Sequence, residues 1–169
     1  MRCHEGRALR NALRNWVDID AWQAPFAVTL TLRQSINVED GRAIRRLWLT
    51  DQQASQNFRH FMNKLNRRIF GKPASRYRRG VSVLPVLEGG DGKRLHYHAA
   101  IDCPHSSLVQ EFPSIIGNLW RSTMWGYDQI EVHPDADRGW LNYITKLRDK
   151  PDFASAIVNA GIKTGQAPV

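Results

Sequence analysis

A chain of 169 residues fits one folded domain with room for a short appendage, and at this length about 70% of the unfolded surface can be buried without disulfide staples. Its two cysteines, Cys3 and Cys103, match neither a disulfide framework nor a zinc-finger spacing. A net charge of +8 and a pI near 10.0 argue against an acidic partner surface and point to a polyanion, of which nucleic acid is the commonest.

The N-terminal stretch MRCHEGRALRNALRNW is charged throughout and lacks the apolar core of a secretory signal. No later run approaches the ~20 apolar residues of a membrane span, so neither a signal nor a membrane partner is expected. With so little cysteine, a reducing cytoplasm is the expected compartment. Leu9, Leu13, Trp16 and Val17 recur at helical spacing among Arg7, Arg10 and Arg14, which predicts a short basic helix before the first strand.

In PFAVTLTLR the period changes to two, with Phe26, Val28, Leu30 and Leu32 on one face and Thr29 and Thr31 on the other, a half-buried strand closed by the turn residues NVEDG. Thr50 and Gln53 form a capping box for a helix with an apolar stripe of Ala54, Phe58, Phe61, Leu65 and Ile69, stopped by Gly71 and Pro73. Arg67 and Arg68 on its other faces lead into KPASRYRRG, where Arg76, Arg78 and Arg79 flank Tyr77. That run is either a solvated loop or a set of phosphate contacts with a base stacked on Tyr77.

VSVLPVLE and KRLHYHAAIDC read as two strands joined by GGDG, whose residues supply the positive φ of a tight hairpin. Ser106 or Ser107 can cap a helix through Leu108, Phe112, Ile115, Ile116 and Leu119, kinked or restarted at Pro113. Trp125, in TMWGYD, is a loop candidate for base stacking, and YDQIEVHP is a short strand. The last helix is DADRGWLNYITKLRDKP, with Trp140, Ile144 and Leu147 as its buried stripe. The order predicts an α+β fold: a central antiparallel sheet with helices packed on its faces. The domain divides as a basic helical segment over residues 1–24, a main domain over 25–150 and a tail over 151–169.

Two features can carry chemistry. On an extended strand His96 and His98 share a face, and the hairpin brings Glu88 beside them. Two imidazoles and a carboxylate suit Mg²⁺, Mn²⁺ or another divalent ion and leave positions for substrate oxygens; the plainer reading is a polar, solvent-facing strand. Tyr143 sits at the edge of the last apolar stripe with Lys146 one turn on, where it could neutralise a phosphate; the plainer reading is an amphipathic helix with a packed Tyr and a solvated Lys.

Taken together, FAVTLTLR, LHYHAAIDCP and YITK resemble, in order, the first strand motif, the metal motif and the YxxK nucleophile motif of the HUH endonucleases, and in particular the rolling-circle replication initiator (Rep) proteins. The resemblance spans about residues 25 to 150 and implies an HUH/RRM-like, ferredoxin-like architecture with metal ligands at His96, His98 and Glu88. It implies that Tyr143 attacks single-stranded DNA at an origin, forming a 5′-phosphotyrosine with Lys146 offsetting charge, in the cytoplasm of a bacterial host. A separate helicase and a polymerase become expected partners, since the chain has no phosphate loop. Two other readings stay open: a single-tyrosine transposase of the same superfamily, and a non-catalytic module that holds single-stranded nucleic acid.

Overall fold

Strict alternation in PFAVTLTL builds the strand β1 (Pro25–Leu32), whose Phe26, Val28, Leu30 and Leu32 are buried. In the computed structural model, which describes residues 11, 12, 14, 15, 17–72, 80–90 and 92–146, β1 lies inside a four-stranded antiparallel sheet. Two strands separate it from its neighbours in sequence: β2 (Ser35–Asp40) and β3 (Ala43–Trp48) form a hairpin of their own. The helix α1 (Asp51–Phe70) follows, then β4 (Val83–Gly90), β5 (Lys93–Asp102), α2 (Phe112–Arg121), β6 (Gly126–Pro134) and α3 (Arg138–Ile144). The sheet order is β4-β5-β1-β6 with every pair antiparallel, an α+β architecture consistent with a ferredoxin- or RRM-like fold.

Both faces of the sheet are covered, by different elements. On one face, α1 and α2 enclose an aromatic core: Phe58 lies 4.4 Å from Tyr97, Phe61 meets Trp120 edge-on at 5.4 Å, and Phe26 packs on Phe112 at 5.1 Å between ring centroids. α1 starts where the sequence predicts, with the Thr50 hydroxyl accepting from the Gln53 amide and the Gln53 side chain accepting from the Thr50 amide. Pro113 sits in the first turn of α2, so it restarts the helix after a 3₁₀ turn at Ser106–Leu108 rather than kinking it. Cys103 is a buried free thiol whose burial raises its pKa, and it donates to the His105 carbonyl rather than joining a metal cluster.

The NVEDG segment departs from expectation. Asn37 to Asp40 are the second half of β2, and the turn is the pair Gly41-Arg42, with Gly41 at φ 64 in the position that a type II′ hairpin gives to glycine. Ile36 and Leu47, opposite one another, pack on the main core and hold the base of the ribbon, while its tip is exposed. Among the described residues no helix is long and apolar enough to cross a membrane.

The second face is covered by α3 and the N-terminal segment. Val17 and Ile19 join Leu84, Val86, Ala100, Ala136, Leu141 and Ile144 in a separate buried cluster. Residues 11, 12, 14 and 15 are helical, whereas Leu9, Leu13 and Trp16 of the predicted basic helix lie outside the described residues. The segment grips α3 at both ends. Arg138, its first residue, bonds Asp20 at 2.7 Å and faces Asp18 at 3.5 Å; Arg14 donates to the Thr145 hydroxyl at 2.8 Å and the Asn142 carbonyl at 3.0 Å. A helix of seven residues does not hold itself in water, so this clamp and the apolar cluster set its position. Ile19→Ala is therefore expected to lower unfolding free energy by about 2–5 kcal/mol, read by urea denaturation; a loss inside experimental error would show that the segment does not support the fold.

Candidate active site

Register fixes which side chains meet. On β4, Glu88 pairs with His96 and Val86 with His98; on β1, Thr31 pairs with His96 and Thr29 with His98. Directly opposed residues share a face, so Glu88, both histidines and both threonines lie on the α3 side, while Tyr97 points into the aromatic core. The three ligand atoms of Glu88, His96 and His98 lie within 4.8 Å of one another. The Glu88 carboxylate is 3.8 Å from His96 Nε2 and 3.6 Å from His98 Nε2. Both separations exceed hydrogen-bond length, so the three groups converge on a common point rather than bonding one another.

Hydrogen bonds behind the rings select the tautomer. His96 Nδ1 faces the Arg94 carbonyl at 2.9 Å; a carbonyl only accepts, so Nδ1 carries the proton and Nε2 keeps its lone pair. His98 Nδ1 meets the Thr29 hydroxyl at 3.1 Å, which can accept in the same way. Supporting bonds of this kind orient imidazole ligands and raise their basicity. Two imidazole nitrogens and a carboxylate oxygen fit a divalent cation of the Mg²⁺ or Mn²⁺ class with open positions remaining. The side chains are 12% (His98), 21% (Glu88) and 25% (His96) exposed, so the cluster is walled but reachable.

Gly89 makes this geometry possible. It has φ +107, and a Cβ there would stand 2.5 Å from the Arg94 carbonyl oxygen, the atom that orients His96. The pairing shifts register between Glu88 and Gly90, as in a bulge.

α3 brings Tyr143 to the same face. Asp137 caps the helix by accepting from the Trp140 amide. The Trp140 indole donates to the Ala99 carbonyl on β5 at 3.0 Å and meets the His98 ring edge-on at 5.5 Å. Tyr143, one turn later, stacks on Trp140 at 5.4 Å and lies 5.7 Å from the His98 ring, with 48% of its surface exposed. Lys146 follows the end of the helix, its amide bonded to the Tyr143 carbonyl and its ammonium 5.4 Å from the Tyr143 ring centroid. The predicted stripe shifts by one place: Leu141 and Ile144 are buried, Trp140 is half-buried over His98, and Leu147 lies outside the described residues.

Of four tyrosines, Tyr143 is the one beside the histidines among those described. Tyr97 is buried, with its pKa raised by burial and by the charge of Asp51. Tyr127 lies beneath the Arg94 guanidinium at 4.4 Å, and Tyr77 is outside the described residues.

The expected nucleic-acid contacts are distributed differently. Arg67 and Arg68 are exposed in the last turn of α1, on the helix covering the opposite face from the histidines. Arg76, Tyr77, Arg78 and Arg79 lie outside the described residues. Trp125 is not a loop platform. It is 4% exposed in the aromatic core, its amide donating to Asn57 and its carbonyl accepting from Arg33, because the chain enters β6 through the interior. The structure adds three residues that the sequence did not single out for the site. Thr29 orients His98, Trp140 bridges His98 and Tyr143, and Arg94, two residues before His96 on the same face of β5, sets a cation beside the cluster. The outward period-two set of β1 already pointed to Thr29; nothing marked the other two. Glu131 also faces this side, opposite Thr29 on β6, roughly 10 Å across two strand spacings from His98.

A family model for a replication-associated protein of the ORF2 type matches residues 25–152, a span that takes in the histidine strand and the Tyr143 helix. No curated protein and no solved structure matches the chain.

Thr29→Val keeps the shape and removes the partner of His98 Nδ1. Mn²⁺ affinity measured by calorimetry is expected to fall about 10–100-fold with the circular dichroism spectrum unchanged; an unaltered affinity would remove Thr29 from the site.

Proposed function

The chain belongs to this family of replication-associated proteins, and from that premise we propose that it is a single-tyrosine HUH endonuclease of the Rep type, which nicks and rejoins single-stranded DNA to start rolling-circle replication of a plasmid or of a single-stranded DNA phage or virus. The observation that carries this reading is the shared face: Glu88, His96 and His98 with ligand atoms within 4.8 Å, and the Tyr143 ring 5.7 Å from His98. A binding module alone has no need of a carboxylate, two imidazoles with outward Nε2 atoms and a half-exposed phenol at one point.

A divalent ion held by Glu88, His96 and His98 supplies Lewis-acid polarisation of the scissile phosphate. Tyr143 supplies the nucleophile. Its oxygen bonds to phosphorus, the P–O bond to the 3′-oxygen breaks, the phenol proton leaves and the 3′-oxygen takes one up. The products are a 5′-phosphotyrosine and a free 3′-OH. Stacking of Tyr143 on Trp140, itself tied to the Ala99 carbonyl, restricts the ring to one approach. Lys146 and Arg94 place positive charge where the pentavalent phosphate gathers negative charge. Because the ester conserves the phosphodiester energy, the strand can be rejoined after a host or accessory helicase and polymerase have used the 3′ end.

Tyr143→Phe is expected to abolish the covalent protein–DNA adduct on denaturing gels while leaving DNA binding in place; an adduct that persists rules Tyr143 out. Chelation by EDTA should stop cleavage, with Mn²⁺ or Mg²⁺ restoring it, and cleavage indifferent to EDTA removes the metal from the account. Lys146→Ala is expected to slow adduct formation by up to about 100-fold; a wild-type rate would assign Lys146 no part. Reversible binding with no adduct under any metal would favour the non-catalytic alternative.

A further inference from the structure

Large apolar side chains left in water mark surfaces that something else covers. Among the described residues four stand out: Ile44 at 73% exposure, Trp48 at 65%, Met124 at 56% and Tyr143 at 48%. Two of them lie on β3. The register pairs Trp48 with Ser35, Arg46 with Asn37 and Ile44 with Glu39. With a period of two, these six side chains form one face of the hairpin. The opposite face carries Ile36 and Leu47, which pack on the core. The fold therefore uses one face of the ribbon and leaves the other, with its largest aromatic, exposed.

The chemistry of that face is specific. The Arg46 guanidinium lies 5.6 Å over the Trp48 ring, a cation against one side of an indole whose surface is otherwise mostly open. An aromatic platform beside guanidinium groups stacks a base and pairs its phosphate. Asn37, opposite Arg46, adds an amide that both donates and accepts. A second copy of this chain is disfavoured by its net charge of +8, which attracts a polyanion instead.

The ribbon is also joined to the candidate site. It begins four residues after Thr31, the partner of His96, so its base lies within roughly 13 Å of extended chain from that rung. Gln34 bonds the Leu32 carbonyl and the Leu95 amide, and Arg94 bonds the Leu32 carbonyl as well. The same connections brace the start of β5 and the start of the hairpin.

We propose that the outer face of the β2–β3 hairpin, with Trp48 and Arg46 at its centre, docks the single-stranded DNA that runs on from the scissile phosphate, Trp48 stacking one unpaired base. This rests on the single-stranded substrate proposed above, but it adds a contact that neither metal nor nucleophile provides.

The test is fluorescence anisotropy of labelled oligothymidylate with the full chain in EDTA, conditions that need neither metal nor Tyr143. Trp48→Ala is expected to weaken binding about 5- to 150-fold, and Trp48→Phe to recover most of the loss. Arg46→Ala should weaken binding and reduce the slope of log affinity against log salt by about 1. Circular dichroism confirms that each variant is folded. Trp48→Ala binding within about twofold of wild type overturns the inference, as does an absence of wild-type binding. So does a loss confined to the duplex form of the probe, or a change in sedimentation without a change in DNA affinity, which would assign the face to a second copy. Adduct formation is scored separately on the wild type: an adduct with Trp48-independent binding sinks the hairpin alone, and Trp48-dependent binding without an adduct sinks the endonuclease reading alone.

Discussion

Everything at the site depends on the alternation of one strand. β5 carries Leu95, Tyr97, Ala99 and Ile101 into a core walled by α1 and α2, and each is buried. Tyr97 is the pin. Its ring is in contact with Phe58 and faces Trp120 at 6.5 Å, so the strand cannot slide without pulling an aromatic from a packed core. A slip of one residue would exchange the faces and drive both histidines inward. The apolar half of HYH thus fixes the polar half, and the antiparallel register with β4 delivers Glu88 to the opposite position.

The second face depends on a different device. α3 is too short to be stable alone, yet it carries the side chain nearest to His98 from outside the sheet. It is held by Leu141 and Ile144 beneath, by Arg14 and Arg138 at its ends, and by Trp140 reaching back to β5. The N-terminal segment, outside the span that the family model matches, is therefore part of what positions Tyr143. Placing reactive groups on a sheet and a clamped helix rather than on loops limits their motion relative to one another.

The core and the triad were legible because both follow from periodicity. Phe26 to Leu32 alternate, Phe58, Phe61 and Leu65 repeat at helical spacing, and the glycine-rich turn after Glu88 forces a hairpin that opposes it to His96. The β2–β3 ribbon escaped because its strands have no fully buried face. Glu39, Asp40, Arg45 and Arg46 interrupt the apolar positions, and the Asp-Gly turn looked like the end of β1 rather than the tip of a second hairpin. Trp125 was misjudged for the converse reason: small and polar neighbours suggested a surface loop, while Asn57 and Arg33 bind its backbone and draw the indole inward. Trp140 as a bridge between His98 and Tyr143 could not be read from spacing, since the crossing of α3 over β5 is a tertiary fact.

The central claim is that three donors and one phenol meet on a single face of the sheet. Anomalous diffraction from crystals grown with Mn²⁺ and single-stranded DNA tests it directly. The expected result is one strong peak bonded to His96 Nε2, His98 Nε2 and the Glu88 carboxylate, with a phosphate between that ion and the Tyr143 oxygen. A peak at other residues, coordination through the Nδ1 atoms, or a Tyr143 oxygen turned away from the phosphate would contradict it.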